Sequence, residues 1–291
     1  MSYYYGSDGS VTTSSAEETS SEKEGGKGFV KTGYLADPKE AAKFDLIVDV
    51  GTEQRSTHIE GAICIPWNEL LKDDGNPKSA SGMSQVLGEA GVSSEDSVVI
   101  YGECDTCGGV PVTPFVFWAM RYLGHGEISI LDGGIEGWAT SGGPIGTVAN
   151  SKPMTTYGPS SRSELLSNYA EITRGDVQLV DARSFQEFAR GRIPGSTNID
   201  CEDVLSEGEI KSGDELEDLF GRLEEDRKVV VYSDDVLKTA TVWYALWLMG
   251  YDSSIYSWDD WKEYQRSESS SESGTNEQTK SSADDYYVRL G

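Results

Sequence analysis

Short apolar runs and longer amphipathic stretches alternate along this chain, and the whole series occurs twice. The first half carries "LIVDV" (46–50), "HIEGAICIP" (58–66), "VVIY" (98–101), "FVFWAMRYLGH" (115–125) and "ILDGGIEGW" (130–138). The second half answers in the same order with "QLVDA" (178–182), "RIPGSTNI" (192–199), "VVVY" (229–232), "TVWYALWLMGY" (241–251) and "IYSWDDW" (255–261). One repetition at this spacing means a duplicated domain of about 120 residues, not a short-period solenoid. The continuous β-branched runs predict buried strands and the amphipathic stretches predict helices, which is the pattern of an α/β protein with a mostly parallel sheet covered on both faces. Gly124 and Gly250 fall just past the helical stretches, where a left-handed cap is wanted. In such sheets the ligand site lies beyond the carboxyl ends of the strands. Tyr101 and Tyr232 stand at those ends, so the loops after them are the candidate sites.

Composition trims this picture at both ends. The first 28 residues and residues 267–291 are rich in Ser, Gly and acidic side chains. They hold too little apolar surface to offset their ordering entropy and read as disordered tails. The expected organisation is a tail over 1–28, a domain over 29–150, a linker over 151–162 ("SKPMTTYGPSSR"), a second domain over 163–266 and a tail over 267–291. The net charge of −26 repels nucleic acid and anionic membranes, so neither is expected as a partner. No apolar run is long enough to span a bilayer, and "MSYYYGSDGS" lacks the basic and apolar regions of a signal peptide. A cytoplasmic location is expected. Four cysteines in 291 residues do not make a disulfide scaffold.

Candidate chemistry concentrates in "YGECDTCGGVPVTPF" (101–115), with two thiols three residues apart. A structural zinc site needs four ligands, usually from two clips, and Cys104 and Cys107 form only one, so no metal is expected. A thioredoxin-like redox pair also uses Cys-x-x-Cys at a strand–helix junction. That fold does not bring the duplicated segments seen here. The third reading is a nucleophilic thiolate in an amide-lined loop. Backbone N–H groups of the loop and first helical turn converge on one point and stabilise the anion without a general base. Such a thiolate takes up a sulfane sulfur as a persulfide and needs no histidine, metal or cofactor.

At this point the sequence resembles the tandem-domain rhodaneses, the thiosulfate and 3-mercaptopyruvate sulfurtransferases, over residues 30 to 265. The residues that carry the resemblance are "LIVDVGTEQRSTHIEGAICIPW", "ILDGGIEGW", "QLVDARSFQEFARGRIPGSTNI" and the two Tyr–loop–helix–Gly segments. The resemblance implies two tandem α/β domains, each a mostly parallel five-stranded sheet flanked by helices. It also implies transfer of a sulfane sulfur from a small anionic donor, thiosulfate or 3-mercaptopyruvate, to cyanide, a thiol or a sulfur-carrier acceptor.

The chain departs from the family pattern where it matters most. The C-terminal copy, which in the family carries the catalytic cysteine directly after the strand's tyrosine, has Ser233 there. A hydroxyl cannot hold a sulfane sulfur, and no G-x-S-x-G elbow or histidine makes Ser233 a hydrolase nucleophile. The catalytic candidates are therefore Cys107 and Cys104. Ser233 precedes Gly250 by as many residues as Cys107 precedes Gly124, so Cys107 has the helix-side register of the nucleophile. Cys104 falls in an insertion and reads as a resolving thiol or bystander. Gly108, Gly109, Val110, Val112 and Thr113 are expected to line the substrate loop, with Arg55 and Arg183 supplying charge across the domain interface. For Arg183 a structural ion pair is the plainer expectation. Pro111 and Pro114 remove donors from the cradle. The alternative function is a degenerate, non-catalytic or redox-sensing protein that uses Cys104 and Cys107 as a switch. Asp49 and Asp181 read as loop anchors, His58 and His125 as structural. Trp118, Trp138, Trp243, Trp247, Trp258 and Trp261 read as core or domain interface, and Cys64 as a buried inert thiol.

Overall fold

The computed structural model describes residues 27–51, 56–103 and 107–272. Arg55 and Cys104 lie outside the described residues. The N-terminal half contains β1 (Leu35–Ala36), α1 (Pro38–Ala41), β2 (Leu46–Asp49), β3 (His58–Ile59), β4 (Ile63–Cys64), α2 (Ala80–Glu89), β5 (Val98–Tyr101), α3 (Thr113–Tyr122), β6 (Ile128–Leu131), α4 (Gly134–Thr140) and β7 (Ile145–Gly146). The C-terminal half follows with α5 (Tyr169–Arg174), β8 (Gln178–Asp181), α6 (Phe185–Arg190), β9 (Thr197–Asn198), β10 (Leu205–Ser206), β11 (Glu209–Ile210), α7 (Gly213–Phe220), β12 (Val229–Ser233), α8 (Val236–Leu248), β13 (Ser253–Ser257) and α9 (Trp258–Glu272).

The first half builds a five-stranded sheet in the order β1-β6-β5-β2-β4, and its pairings are all parallel. The second builds β13-β12-β8-β9, also parallel. Four strands replace the five expected there. The position of β1 is held by Leu166 alone, bridged to Ile255 as Leu35 is to Ile130. Every residue of β5, β6 and β12 is buried, as both-face coverage of a parallel sheet demands.

The two halves share one core. Helix α3 is buried along its whole length, which an amphipathic surface helix is not. It packs on the equivalent α8, with Phe117 against Trp243 (6.2 Å between ring centroids) and Tyr244 (5.0 Å). The described end of the expected N-terminal tail, at Lys27, and the expected linker also join the folded body. Gly213 N–H donates to the Lys27 carbonyl, Lys31 N–H to that of Leu248, and Tyr244 Oη to that of Tyr34. The stretch 151–162 runs along the N-terminal half: Thr155 N–H bonds Gly88 O, Ser160 N–H bonds Leu123 O, and Tyr157 is buried. Helix α9 continues to Glu272, past the boundary expected at 266. Both the 27–34 segment and the linker thus obey backbone hydrogen-bonding demands that composition does not register.

Candidate active site

The two halves place matching anchors at their strand ends. Tyr101 Oη accepts the N–H of Ile59 (2.9 Å), and Tyr232 Oη accepts that of Ile193 (3.0 Å). Asp49 and Asp181 stand beside them. Asp49 accepts the N–H of Gly51 (2.9 Å) and pairs with His58 Nδ1 (2.8 Å). Asp181 accepts the N–H of Arg183 (3.0 Å) and grips its guanidinium at two points (Nε 2.9 Å, Nη2 2.6 Å). Arg183 also donates to Gly191 O (2.8 Å) and lies over the Trp258 ring (4.0 Å). It is 4% exposed and lines neither of the cavities described below. Its fork geometry is consumed by Asp181, as a structural ion pair requires.

The loops beyond the tyrosines differ. In the C-terminal half, β12 runs through Ser233, and only Asp234 and Asp235 separate it from α8. The Ser233 hydroxyl donates to Asp235 O (2.5 Å), accepts Asp235 N–H (3.0 Å) and contacts Thr239 Oγ1 (2.9 Å). Asp235 caps α8 through Leu237 N–H (2.8 Å). The hydroxyl is a clamp on a tight turn, not a nucleophile aimed at solvent.

In the N-terminal half, residues 102–112 lie between β5 and α3. Gly102 opens the excursion by passing against β2's end: a Cβ there would lie 2.4 Å from Gly51 N. Gly108 and Gly109 both adopt left-handed conformations (φ 65° and 84°), and Val110 N–H closes the turn on Cys107 O (3.2 Å). Helix α3 starts later than α8. Aligned from Gly124 and Gly250, both left-handed, Thr113 matches Thr239, and the first turn of α8 has no counterpart. Pro114 explains this. It is tolerated in the first turn of α3, but a helix begun at Val110 would put its ring against the carbonyl four residues back. The amide-rich cradle expected over 108–113 is correspondingly reduced, because Val110 N–H is spent on the turn and Pro111 has none.

This geometry splits the predicted loop residues between two cavities. Cys107 lines a cavity of about 480 Å³ between the halves. Its near walls are Trp67, Leu71, Asn76, Lys78, Met83, Trp118 and Tyr122. Ser233, Asp234, Asp235, Leu237, Tyr256 and Asp259 face them from the C-terminal half. Gly109, Val110, Pro111 and Thr113 instead line a smaller cavity of about 340 Å³, with Tyr101, Asp132, Gly133 and Gly134. Lys27 and Glu209 reach this second cavity, where Lys27 pairs with Asp132 at 2.5 Å. Gly108 lines neither of these two cavities, and Val112 is fully buried in the core.

Cys107 is disulfide-bonded in this structure, whereas Cys64 and Cys201 are in no disulfide. Cys201 is 1% exposed, and burial pushes its thiol up to about 12. Among the described cysteines, Cys107 alone lines either of these two cavities. Sequence reading missed the wall Trp67–Lys78, which looks like an ordinary polar loop, and the Tyr256–Asp259 edge. Trp118, read as core, is buried and also lines the cavity. Among the described residues no group of three or more His, Cys, Asp or Glu is arranged to hold a metal ion.

A parallel α/β unit repeated in one chain, with a cysteine on the strand–helix loop, defines a two-domain fold with a cavity between its halves. The rhodanese-like domain matches residues 31–141 and again 166–265, and the chain belongs to that family. Its class is that of the sulfurtransferase enzymes. A protein of Haloferax volcanii provisionally named a thiosulfate sulfurtransferase is 28% identical over 243 residues, 74% of this chain and 84% of its own. The sulfur carrier protein TtuD of Thermus thermophilus is 28% identical, covering 78% of this chain and 90% of its own. In fold, the chain resembles the 3-mercaptopyruvate sulfotransferase SseA of Escherichia coli, with a TM-score of 0.67 at 22% identity over 78% of this chain and 98% of that one. Among the described residues no helix is long and apolar enough to cross a membrane.

Proposed function

We propose that this chain transfers a sulfane sulfur through a persulfide on Cys107, with the N-terminal domain as the working half. The observation that carries this reading is the position of Cys107 on the cavity between the halves, opposite a serine already committed to its own turn. The reduced thiolate attacks the outer sulfur of the donor. With thiosulfate the S–S bond breaks and sulfite leaves with the electron pair. With 3-mercaptopyruvate the C–S bond breaks, and the leaving enolate takes up a proton to give pyruvate. In the second half-reaction cyanide, a thiol or a carrier-protein cysteine attacks the outer sulfur, and the electron pair of the broken S–S bond returns to Cys107.

Charge in the cavity favours 3-mercaptopyruvate over thiosulfate as donor. Asp74, Asp234, Asp235 and Asp259 line it against one described cation, Lys78, and a dianion is repelled more than a monoanion. The disulfide on Cys107 makes reduction a prerequisite, and Cys104, its neighbour in sequence, serves as the resolving thiol. A compartment that keeps thiols reduced, the cytoplasm, suits this chemistry. The test is intact mass of the reduced protein after incubation with each donor. One added sulfur, present in wild type and absent in Cys107→Ser, supports the reading. No adduct with either donor, or an adduct that survives Cys107→Ser, overturns it.

A further inference from the structure

One wall of the Cys107 cavity is a small folded unit of the N-terminal half. Residues 70–78 form a hairpin in which Leu71 bridges Pro77 and Lys72 N–H donates to Asn76 O (2.8 Å). Lys78 N–H closes it on the carbonyl of the fully buried Leu70 (2.9 Å). The returning arm delivers Asn76 and Lys78, both half-buried, to the cavity that Cys107 also lines. The Lys78 ammonium donates to Glu69 O (2.6 Å). A carbonyl orients an ammonium without neutralising it and leaves its other N–H donors for a ligand. Among the described residues no carboxylate pairs with Lys78, and no group hydrogen-bonds the Asn76 carboxamide. The acids of the same cavity are engaged elsewhere. Asp74 accepts Asn76 N–H (2.9 Å), Asp235 caps α8, Asp259 pairs with Lys262, and Asp234 is exposed in the field of Arg183. The cavity thus carries one uncompensated, pre-oriented cation on the same domain as the thiol.

We infer that Lys78, with the Asn76 carboxamide on the same hairpin arm, holds the carboxylate of the sulfur donor and so selects a mercapto-oxo acid over a donor that has no carboxylate. The inference rests on the sulfurtransferase reading for the chemistry, but the carboxylate site stands apart from it. A carboxylate offers two acceptor oxygens, and the ammonium and the carboxamide N–H supply a donor for each. The sulfur at the other end of the molecule is then offered to Cys107. The Cys107 thiolate attacks it and a new S–S bond forms. The C–S bond breaks with its electrons in the enolate of pyruvate, which takes up a proton. The carboxylate does not change charge in this step, so Lys78 acts on donor binding and not on bond breaking.

The experiment uses reduced full-length protein and two donors, 3-mercaptopyruvate and mercaptoacetone, the same molecule with a methyl group in place of the carboxylate. Sulfur transfer to cyanide is measured over a range of donor concentrations. Wild type is expected to prefer 3-mercaptopyruvate in kcat/KM by about tenfold or more. In Lys78→Met the KM for 3-mercaptopyruvate should rise by about tenfold to a hundredfold, as loss of a charge-assisted hydrogen bond predicts, while kcat stays within about threefold. The two donors should then become nearly equal. Lys78→Arg, which keeps the charge, should recover part of the preference. An unchanged KM in Lys78→Met, or an equal loss with both donors, overturns the inference. A second arm needs no sulfur chemistry. Pyruvate is titrated into Cys107→Ser protein and followed by the fluorescence of Trp67 and Trp118, which line the cavity. Saturable binding weakened about tenfold by adding Lys78→Met supports the carboxylate site even if no persulfide ever forms. Binding that is absent, or indifferent to Lys78→Met, counts against the site. Transfer from both donors at rates unaffected by Lys78→Met leaves the sulfurtransferase reading intact and removes this one.

Discussion

The loop after β5 and the loop after β12 begin from the same tyrosine, lead into equivalent helices and have become different objects. The second is as short as a strand–helix connection can be. Its serine hydroxyl is used up by Asp235 and Thr239, and its helix is capped by an aspartate. The first carries residues 102–112, opens with a glycine wedged against β2 and ends where Pro114 lets a helix begin. A turn whose polar atoms are all engaged locally has nothing left to offer a ligand. A longer loop held by two left-handed glycines can expose a thiol to the space between domains. Duplication allowed this divergence, because each half retains its own sheet while α3 and α8 hold them against one core.

The most severe way to break the comparison is to move the thiol. Cys107→Ser should lower transfer by about 10³-fold or more, and adding Ser233→Cys should restore no more than about 1% of parent activity, since the short loop keeps its clamp geometry and two aspartates. Substantial recovery in a cyanide-dependent assay would mean that loop length is irrelevant. Cys104→Ser sharpens the same point from the other side: activity should persist and no longer require prior reduction, read as activity with and without reductant.

Gly102 follows Tyr101 as Ser233 follows Tyr232, so Gly102→Ser writes one half's residue into the other. With Gly51 N 2.4 Å from the new Cβ, the variant should lose about 3 kcal/mol in denaturant unfolding. Gly108→Ala meets no atom within 4 Å and should cost only about 1–2 kcal/mol for its left-handed backbone. Arg183→Lys cannot reproduce the two-point grip on Asp181. It should cost about 1–2 kcal/mol of stability and leave kcat/KM unchanged. A fall in kcat/KM at constant stability would return Arg183 to the substrate.

The smallest effect separates the two histidines, of which only His58 has a carboxylate partner. His125 is fully buried, bonded through Nδ1 to Tyr157 Oη (2.9 Å) and stacked on that ring. Burial holds its pKa below the ordinary value, with Arg121 adding to this and Asp96 and Glu127 opposing it. A base with a depressed folded pKa binds fewer protons folded than unfolded, so stability falls as pH drops through and below about 6.5. Unfolding free energies of wild type and His125→Asn should therefore converge between pH 7 and pH 5 by on the order of 1 kcal/mol. A constant difference would show that His125 does not titrate on unfolding.

Much of this was readable from the chain because the information is local or repeated. Strands written as β-branched runs, glycines just past helices and a fivefold match in order can be seen in one dimension. The duplication, the parallel α/β class, the rhodanese resemblance and the exclusion of Ser233 as nucleophile all follow from such signals. Arg183 was half legible. Its place two residues after Asp181 announces an ion pair, while the stacking on Trp258 that completes its burial comes from 75 positions further along the chain. The contacts of Lys27 and of the linker were not legible, because composition reports apolar content. What ties down Lys27 and 151–162 is backbone hydrogen bonding to partners distant in sequence.

The sequence by itself determined the architecture, its duplication and the residue type able to carry sulfur, because each depends on side-chain chemistry and on periodicities of two to four residues. Only the tertiary structure decided which way that residue faces. The packing of α3 on α8 brings the Trp67–Lys78 wall, Trp118 and the Asp234–Asp259 rim around Cys107, while Gly109, Val110 and Pro111 of the same loop line a second cavity. Those neighbours come from segments far apart in the chain with no shared spacing. Their association is fixed by burial of apolar surface between the domains, which no local pattern encodes.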